Sequence, residues 1–335
     1  MLGRKGGADR IWLQSDDGAR LSALREQTTD QARALGARQL SNTVHAFAKL
    51  DLRGPAWVCL WQDIERAVLA RVSRFNAKDL SNTAWAFATA GRSSPAHFDA
   101  IAKESVRRVD SFDAQGLSNT VWAFATLGHA APALFNAIGR ESARRVRELN
   151  PQDLSNMAWA FAKAGHAAPA LFDAIGEESA RRVRELYPQD MSSMVWAFAK
   201  AGHAAPVLFD AIGRESACRV RKLNPQNLTN KAWAFATVGH AAPALFDPIG
   251  KESAKRVREL NPRDLYNMAW AFAKAGHAAP ALFVAIGKQS AWQMRKFPER
   301  GLSNMAWAFA TLGHAAPALF DAIGREAAGQ VRELK

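Results

Sequence analysis

Three kinds of side chain recur together at a fixed spacing of 37 residues, and their chemistry predicts contacts to a nucleic acid. An amide, an indole ring and a cation stand at positions i, i+3 and i+7, as in Asn156, Trp159 and Lys163. Amides hydrogen-bond base edges, flat rings stack on bases, and lysines neutralise phosphates. On a helix these three positions fall within one sector of the surface. The spacing therefore predicts one polar stripe in each copy of a repeat.

The amide column is the most uniform of the three. Each amide can bond a base or a sugar, or it can bond the backbone of the neighbouring copy and hold the array together. Two residues beside the column, Thr229 and Tyr266, replace the usual serine, and they are the predicted places where base preference varies. The column consists of Asn42, Asn82, Asn119, Asn156, Ser193, Asn230, Asn267 and Asn304.

The cation column alternates between lysine and threonine. Lysine there neutralises a phosphate and threonine donates a hydrogen bond to one, although a solvated face is the alternative interpretation. Lys163, Lys200 and Lys274 are the candidate phosphate contacts, and Lys49 occupies the same position. Threonine takes this position in the other copies, at Thr89, Thr126, Thr237 and Thr311.

The indole column has two interpretations. The rings stack on bases, or they pack between neighbouring helices, and repetition of large flat side chains in a solenoid favours packing. The column consists of Trp85, Trp122, Trp159, Trp196, Trp233, Trp270 and Trp307, and His45 takes its place in the first copy.

Each copy reads as two helices. From residue 150, Asn150 caps a helix that opens with Pro151 and runs to about Ala164, where Gly165 ends it. After a short turn, Pro169 opens a second helix that is expected to reach about residue 186. A helical pair of this size cannot bury its own apolar stripes, so neighbouring pairs must stack. The predicted fold is an all-α solenoid of eight 37-residue antiparallel helix pairs.

The predicted array covers residues 40–335, after an N-terminal extension or degenerate cap at residues 1–39. Its copies are expected to start at residues 40, 80, 117, 154, 191, 228, 265 and 302.

The helical wheel predicts how the faces of one copy are used. In the first helix, Leu154 and Phe161 lie in the core sector, and Ser155 lies at the edge of the polar sector. In the second helix, Glu177 and Glu178 are predicted to pair with the arginines four residues later, at 181 and 182, on a solvated outer face. Gly176 recurs in that helix, which suggests a close approach to a neighbouring helix or a bend.

The amino-acid composition limits the classes of function that this protein can have. The chain has 44 Lys and Arg against 31 Asp and Glu, a net charge of +13, which favours a polyanionic partner. Two cysteines are too few for a disulfide framework, and no apolar run is long enough to span a membrane. No phosphate-cradling loop, nucleophile elbow or zinc motif occurs, and histidines one repeat apart lie too far from each other to share a metal. We therefore expect a binding protein with no enzymatic activity, no cofactor and no metal.

The sequence from Leu117 to Gly128, LSNTVWAFATLG, resembles the octotricopeptide repeats of algal organelle proteins. It is also similar to heptatricopeptide and FAST leucine-rich repeats, and to the kinetoplastid mitochondrial RNA-editing substrate-binding proteins. This resemblance covers residues 40 to 335. It implies single-stranded RNA binding in organelle RNA processing, stability or translation, with other proteins of an RNA-processing complex as partners. The alternative is a protein-binding α-solenoid without nucleic-acid affinity.

The resemblance also implies a location in the mitochondrion or chloroplast. The first 38 residues contain Asp9, Asp16 and Asp17, which is not typical of a transit peptide, so this segment by itself does not favour import. Without the resemblance, the expected location is cytoplasmic.

Overall fold

The structure is a computed structural model that describes residues 34–52 and 57–333, and within these it contains sixteen α-helices and no strand. The predicted extension lies outside the described residues as far as residue 33. The odd-numbered helices, called helices A, are α1 (Ala37–Lys49), α3 (Ala77–Thr89), α5 (Ala114–Leu127), α7 (Pro151–Ala164), α9 (Pro188–Ala201), α11 (Pro225–Val238), α13 (Pro262–Lys274) and α15 (Glu299–Thr311). The even-numbered helices, called helices B, are α2 (Val58–Leu69), α4 (Pro95–Arg107), α6 (Pro132–Arg144), α8 (Pro169–Arg181), α10 (Pro206–Cys218), α12 (Pro243–Lys255), α14 (Pro280–Trp292) and α16 (Pro317–Glu333).

Helices A begin where the capping residues predict. The side-chain oxygen of Asn150 accepts a hydrogen bond from the backbone N–H of Asp153 at 2.9 Å, and Asn261 does the same for Asp264 at 2.9 Å. This bond satisfies one of the backbone donors left open at a helix start. Every predicted copy start lies three residues after the first residue of a helix A.

Helices A also end as predicted, whereas helices B end early. Gly165 adopts a positive φ of 65°, the left-handed conformation that terminates a helix. Helix α8 ends at Arg181 rather than near residue 186, and Val183–Glu185 form a 3-10 turn. Leu186 follows in an extended conformation and is only 1% exposed. The tighter turn returns the chain to the next helix A while keeping this leucine in the core.

The described residues divide into two compact units, which meet between Asp153 and Leu154 in the sequence. In the first unit, α1, α3 and α5 pack side by side, and α2, α4 and α6 form a second layer beside them. In the second unit, α9, α11, α13 and α15 pack side by side, and α8, α10, α12, α14 and α16 form the second layer. This stacking of consecutive helix pairs confirms the predicted all-α solenoid class.

Phenylalanine pairs form the seam between successive helix pairs. The ring of Phe209 in α10 lies 4.9 Å from the ring of Phe235 in α11, in an edge-to-face arrangement. A Cβ at Gly213 would lie 3.4 Å from the ring of Phe235, an ordinary contact distance, whereas one at Gly250 would lie only 3.2 Å from the ring of Phe272. The recurrent glycine of helices B therefore marks a close approach, one of the two predicted explanations, at Gly250.

The paired arginines that follow helices B have different roles. Arg182 bonds Glu178 as predicted, but Arg181 also pairs with Glu178 rather than with Glu177. The interpretation of both arginines as a solvated face is wrong for the second one. Arg256, which holds the equivalent position, donates to the carbonyl of Leu223 in the preceding repeat at 2.7 Å. The second arginine therefore clamps adjacent repeats, because it satisfies a carbonyl that has no helical partner.

Among the described residues, no helix combines the length and the apolar character needed to cross a membrane.

Candidate nucleic-acid interface

Each helix A leaves only a narrow stripe in contact with solvent. In α11 the surface side chains are Gln226, Asn230, Trp233 and Thr237, which follow one another at helical spacing, and most of the remaining residues are buried. Neighbouring helices A cover both flanks, and the helices B cover the back. For this reason Ser155, predicted at the edge of the polar sector, is in fact buried and 2% exposed.

The asparagine column lies on this stripe and is half-buried from Asn82 to Asn304. In the part of the chain that the structure describes, none of these amides hydrogen-bonds to protein. In some copies the preceding serine bonds the neighbouring repeat instead. Ser41 Oγ donates to the carbonyl of Asp79 at 3.2 Å, and Ser155 Oγ donates to that of Asp190 at 3.2 Å. In other copies the equivalent hydroxyl bonds a carbonyl of its own helix, as in α9 and α11. The amide groups make neither bond and remain available to a ligand.

The tryptophan column is neither fully buried nor free. Trp159, Trp196 and Trp233 are half-buried, and Trp307 is 43% exposed. Their indole N–H groups donate to no protein acceptor within residues 34–52 and 57–333. Each of these rings is therefore partly accessible to solvent, and its N–H has no protein acceptor within the described residues.

The second unit contains a groove of about 620 Å³ that crosses successive helices A. It brings together six of the predicted site residues and three tryptophans. The six predicted residues in this groove, called the helix A groove, are Ser193, Lys200, Thr229, Asn230, Tyr266 and Asn267. The three tryptophans are Trp159, Trp196 and Trp233. Thr229 contributes little surface, since it is 2% exposed and donates its hydroxyl to the carbonyl of Pro225.

The other predicted residues lie outside the helix A groove. Lys163 and Lys274 are exposed on the same stripe, and Lys274 lines a separate cavity beside the turn between α11 and α12. The remaining ones are half-buried on helices A and do not line the groove: Asn82, Asn119, Asn156 and Asn304.

Five residues of the groove lie outside the predicted columns, and two of them are Asn261 and Asp264. The other three, Gln226, Arg263 and Arg300, are the second residues of α11, α13 and α15 and are exposed. Each precedes the amide column by four residues, so helical spacing extends the polar stripe to them. This i−4 relation is the sequence signal that identifies them.

Two aspartates of helices A are buried, whereas three basic side chains of helices A are exposed. Asp153 and Asp264 are 5% and 6% exposed and lie in the first turns of α7 and α13. Burial raises the pKa of both carboxyls, since desolvation disfavours the charged form. In contrast, Lys200, Arg263 and Arg300 are exposed and form no salt bridge among the described residues, although the charge of Arg263 opposes the rise in the pKa of Asp264. Asp264 lines the groove together with these three cations.

One lysine lies underneath the groove rather than in it. Lys231 is fully buried, and its Nζ donates to Ser192 Oγ at 2.6 Å and to the carbonyl of Pro188 at 3.1 Å. Burial lowers its pKa to about 7, although Asp190 opposes this change. Methionine occupies the equivalent position in the repeats on both sides, at residues 194 and 268. Lys231 thus places a titratable amine where the adjacent repeats have an apolar side chain.

The histidine column serves the packing between repeats. His240 Nε2 lies 2.8 Å from an oxygen of Asp210, and its ring lies 5.6 Å from those of both Phe209 and Phe235. No group of side chains suited to hold a metal ion occurs within the described ranges.

The stacked helix pairs and the polar groove along helices A define an α-helical repeat protein. The chain belongs to the family of the RNA-editing substrate-binding complex 6 protein, whose model matches residues 19–203, more than half of the 335 residues. Comparison with curated proteins gives no match. The family match confirms the predicted relation to RNA-editing substrate-binding proteins, and the octotricopeptide character of the repeats stays a prediction.

Proposed function

We propose that this protein binds single-stranded RNA along the polar stripe of its helices A, as a component of an RNA-editing complex. The observation that carries the proposal is that the half-buried asparagines of helices A have no hydrogen-bond partner within the described residues, in the first unit at Asn82 and Asn119 and in the second at Asn156, Asn230, Asn267 and Asn304. A polar group held on a packed helix without a protein partner is well placed to bond a ligand.

The charge of the stripe supports the same ligand. The basic side chains of the helix A groove form no salt bridge in the described part of the chain. In contrast, Arg256, which directly follows helix α12, forms a salt bridge with Glu259 and a hydrogen bond with a backbone carbonyl. Cations that are free of internal partners are the ones that can neutralise phosphates. The tryptophan faces that line the groove supply stacking surfaces that tolerate any base.

The family relation extends the proposal to partners and location. A protein related to an RNA-editing substrate-binding complex is expected to act beside other proteins in the mitochondrion, and its part is binding rather than catalysis.

The test is a titration of a short oligouridine at several salt concentrations. We expect K163A/K200A/K274A to weaken binding and to reduce the slope of log affinity against log salt by up to about 2, at roughly 0.7 for each phosphate contact on a single strand. The matched control is K251A/K255A/K288A, which removes the same charge from exposed positions on helices B. The control variant should show the same slope of log affinity against log salt as the unaltered protein, within experimental error.

Two results would contradict the proposal. One is the absence of measurable binding by the unaltered protein at low salt. The other is an equal loss of affinity in both triple variants, which would show that net charge alone attracts RNA and that helices A provide no site.

A further inference from the structure

The seam between α13 and α15 is built differently from the other seams. Position 266 holds tyrosine, whereas the equivalent residues are serine or threonine in the other seven helices A. In α1 and α7 those residues, Ser41 and Ser155, are buried and bond the next repeat. Tyr266 is half-buried instead and lines the helix A groove. Its hydroxyl has no hydrogen-bond partner in the described part of the chain.

Gly301 provides the space that this ring occupies. A Cβ at residue 301 would lie 2.8 Å from Cδ1 and 3.0 Å from Cε1 of Tyr266, closer than real side chains approach. The equivalent residue is Asp190 in α9, Asn227 in α11 and Asp264 in α13, whereas it is glycine in α5, at Gly116, beside a serine of the neighbouring helix A. In the seam of Tyr266, the space beside Gly301 is filled by the phenol ring, which rests against the backbone of the first turn of α15.

The ring is also supported from the side. The ring of Phe297, which directly precedes α15, lies 6.2 Å from that of Tyr266 at an angle of 59°. Contacts with Gly301 and Phe297 fix the ring before any ligand binds, so a ligand that stacks on it meets a pre-ordered surface.

Cations replace neutral amides at this end of the groove. The second residue of helix A is glutamine in α5, α7, α9 and α11, and it becomes Arg263 in α13 and Arg300 in α15. Both arginines line the groove together with Tyr266 and Asn267. Asp264 also lines the groove and interacts with Arg263, but it is 6% exposed and forms no salt bridge with this arginine. An exposed guanidinium binds a phosphate with two parallel hydrogen bonds.

We propose that Tyr266, seated on Gly301 between Arg263 and Arg300, forms the principal nucleotide subsite of the groove. A base of single-stranded RNA stacks on the phenol ring, and the two guanidiniums hold the phosphates on either side of that nucleotide. The Asn267 amide lies next to Tyr266 in the chain and can bond the edge of the stacked base. This inference rests on the proposed RNA-binding function and adds the position of its strongest contact.

The first test restores the seam that the other repeats have. Y266S/G301N introduces the neutral residue types found at the equivalent positions, Ser192 and Asn227, and so removes the ring without leaving a cavity or adding charge. We expect binding of an oligouridine 12-mer to weaken roughly 5- to 150-fold, the effect of losing one base–aromatic stack, with an unchanged salt slope. Y266F is the matched control, because it retains the ring and should bind within about twofold of the unaltered protein.

The second test separates stacking from charge. R263Q/R300Q restores the glutamine of the preceding helices, and we expect it to reduce the salt slope by about 1.4, at roughly 0.7 for each phosphate contact. G301A changes none of the residues that are proposed to touch RNA, but its added methyl group displaces the ring of Tyr266. It should therefore weaken RNA binding while its circular dichroism spectrum stays helical.

The outcomes separate this inference from the proposed function. If the unaltered protein binds RNA and Y266S/G301N and G301A bind it equally well, the subsite at Tyr266 is overturned and RNA binding by the groove stands. If the unaltered protein does not bind RNA, the proposed function itself fails. A loss of affinity in Y266S/G301N with no change in Y266F supports the subsite.

Discussion

Replacing the buried lysine by methionine should remove a pH dependence from the stability of this protein. Lys231 is fully buried in the folded chain, with a pKa lowered by burial from 10.5 to about 7. Between these two values the unfolded chain binds more protons than the folded chain, so the free energy of unfolding rises with pH in this window. Below pH 7 Lys231 is protonated in both the folded and the unfolded chain, so the full free-energy cost of burying its charge lowers the stability of the folded chain.

The magnitude follows from the two pKa values. From pH 6 to pH 9 the titration of this one group should raise the free energy of unfolding by roughly 2–3 kcal/mol. Lys231→Met should lose that rise and should be more stable than the unaltered protein at pH 6, because a neutral side chain of the type found in the adjacent repeats replaces a desolvated cation. In this variant the hydroxyl of Ser192 keeps a hydrogen bond, because it donates to the carbonyl of Pro188 at 2.9 Å.

The assay is urea unfolding followed by circular dichroism at pH 6, 7, 8 and 9. The quantity of interest is the difference between Lys231→Met and the unaltered protein at each pH, in which the contributions of other titrating groups cancel. Lys200→Met is the control, since it removes an exposed lysine from the neighbouring helix A. Parallel pH profiles for the unaltered protein and Lys231→Met would refute the reasoning, because they would show that Lys231 does not titrate in this range.

Two further predictions concern the packing between repeats. Arg256→Met should destabilise the protein by about 1–3 kcal/mol, since a carbonyl of the preceding repeat loses its donor, whereas Lys255→Met at an exposed position should change stability by less than about 0.5 kcal/mol. Gly324→Ala should stabilise helix α16 by up to about 1 kcal/mol, because nothing lies within 4 Å of the added methyl group. Gly250→Ala should show no such gain, because its Cβ would lie 3.2 Å from the ring of Phe272. Urea midpoints measure all four variants, and a gain at residue 250 equal to that at residue 324 would contradict the close approach.

Local signals along the chain were sufficient to predict the helices. Caps such as Asn150, the proline that follows it and the left-handed Gly165 act within a few residues, so each is visible in the sequence. The early end of α8 was not predicted, because the apolar spacing of Val183 and Leu186 continues the helical pattern although the backbone tightens into a 3-10 turn. Periodicity records which residues are buried and does not record the backbone conformation that buries them.

The candidate site was predicted in part. The columns of Asn230 and Lys200 follow from the 37-residue period, and the structure brings both into one groove. The roles within a stripe could not be predicted, because they depend on the neighbouring repeat. Ser155 bonds across the seam, whereas the asparagine column has no protein partner among the described residues, and these two roles look interchangeable in a helical wheel.

The sequence by itself determined the period, the helix boundaries at caps and glycines, the net positive charge and the face of helix A that stays polar, because all of these are local or additive properties of the chain. Only the tertiary structure decided which basic residues are free and which are used in packing. Arg256 bonds a carbonyl 33 residues before it, and Tyr266 occupies a space that Gly301 leaves open 35 residues after it. Such relations exist only when successive repeats are stacked, since contacts at these separations are set by the packing of one helix pair on the next.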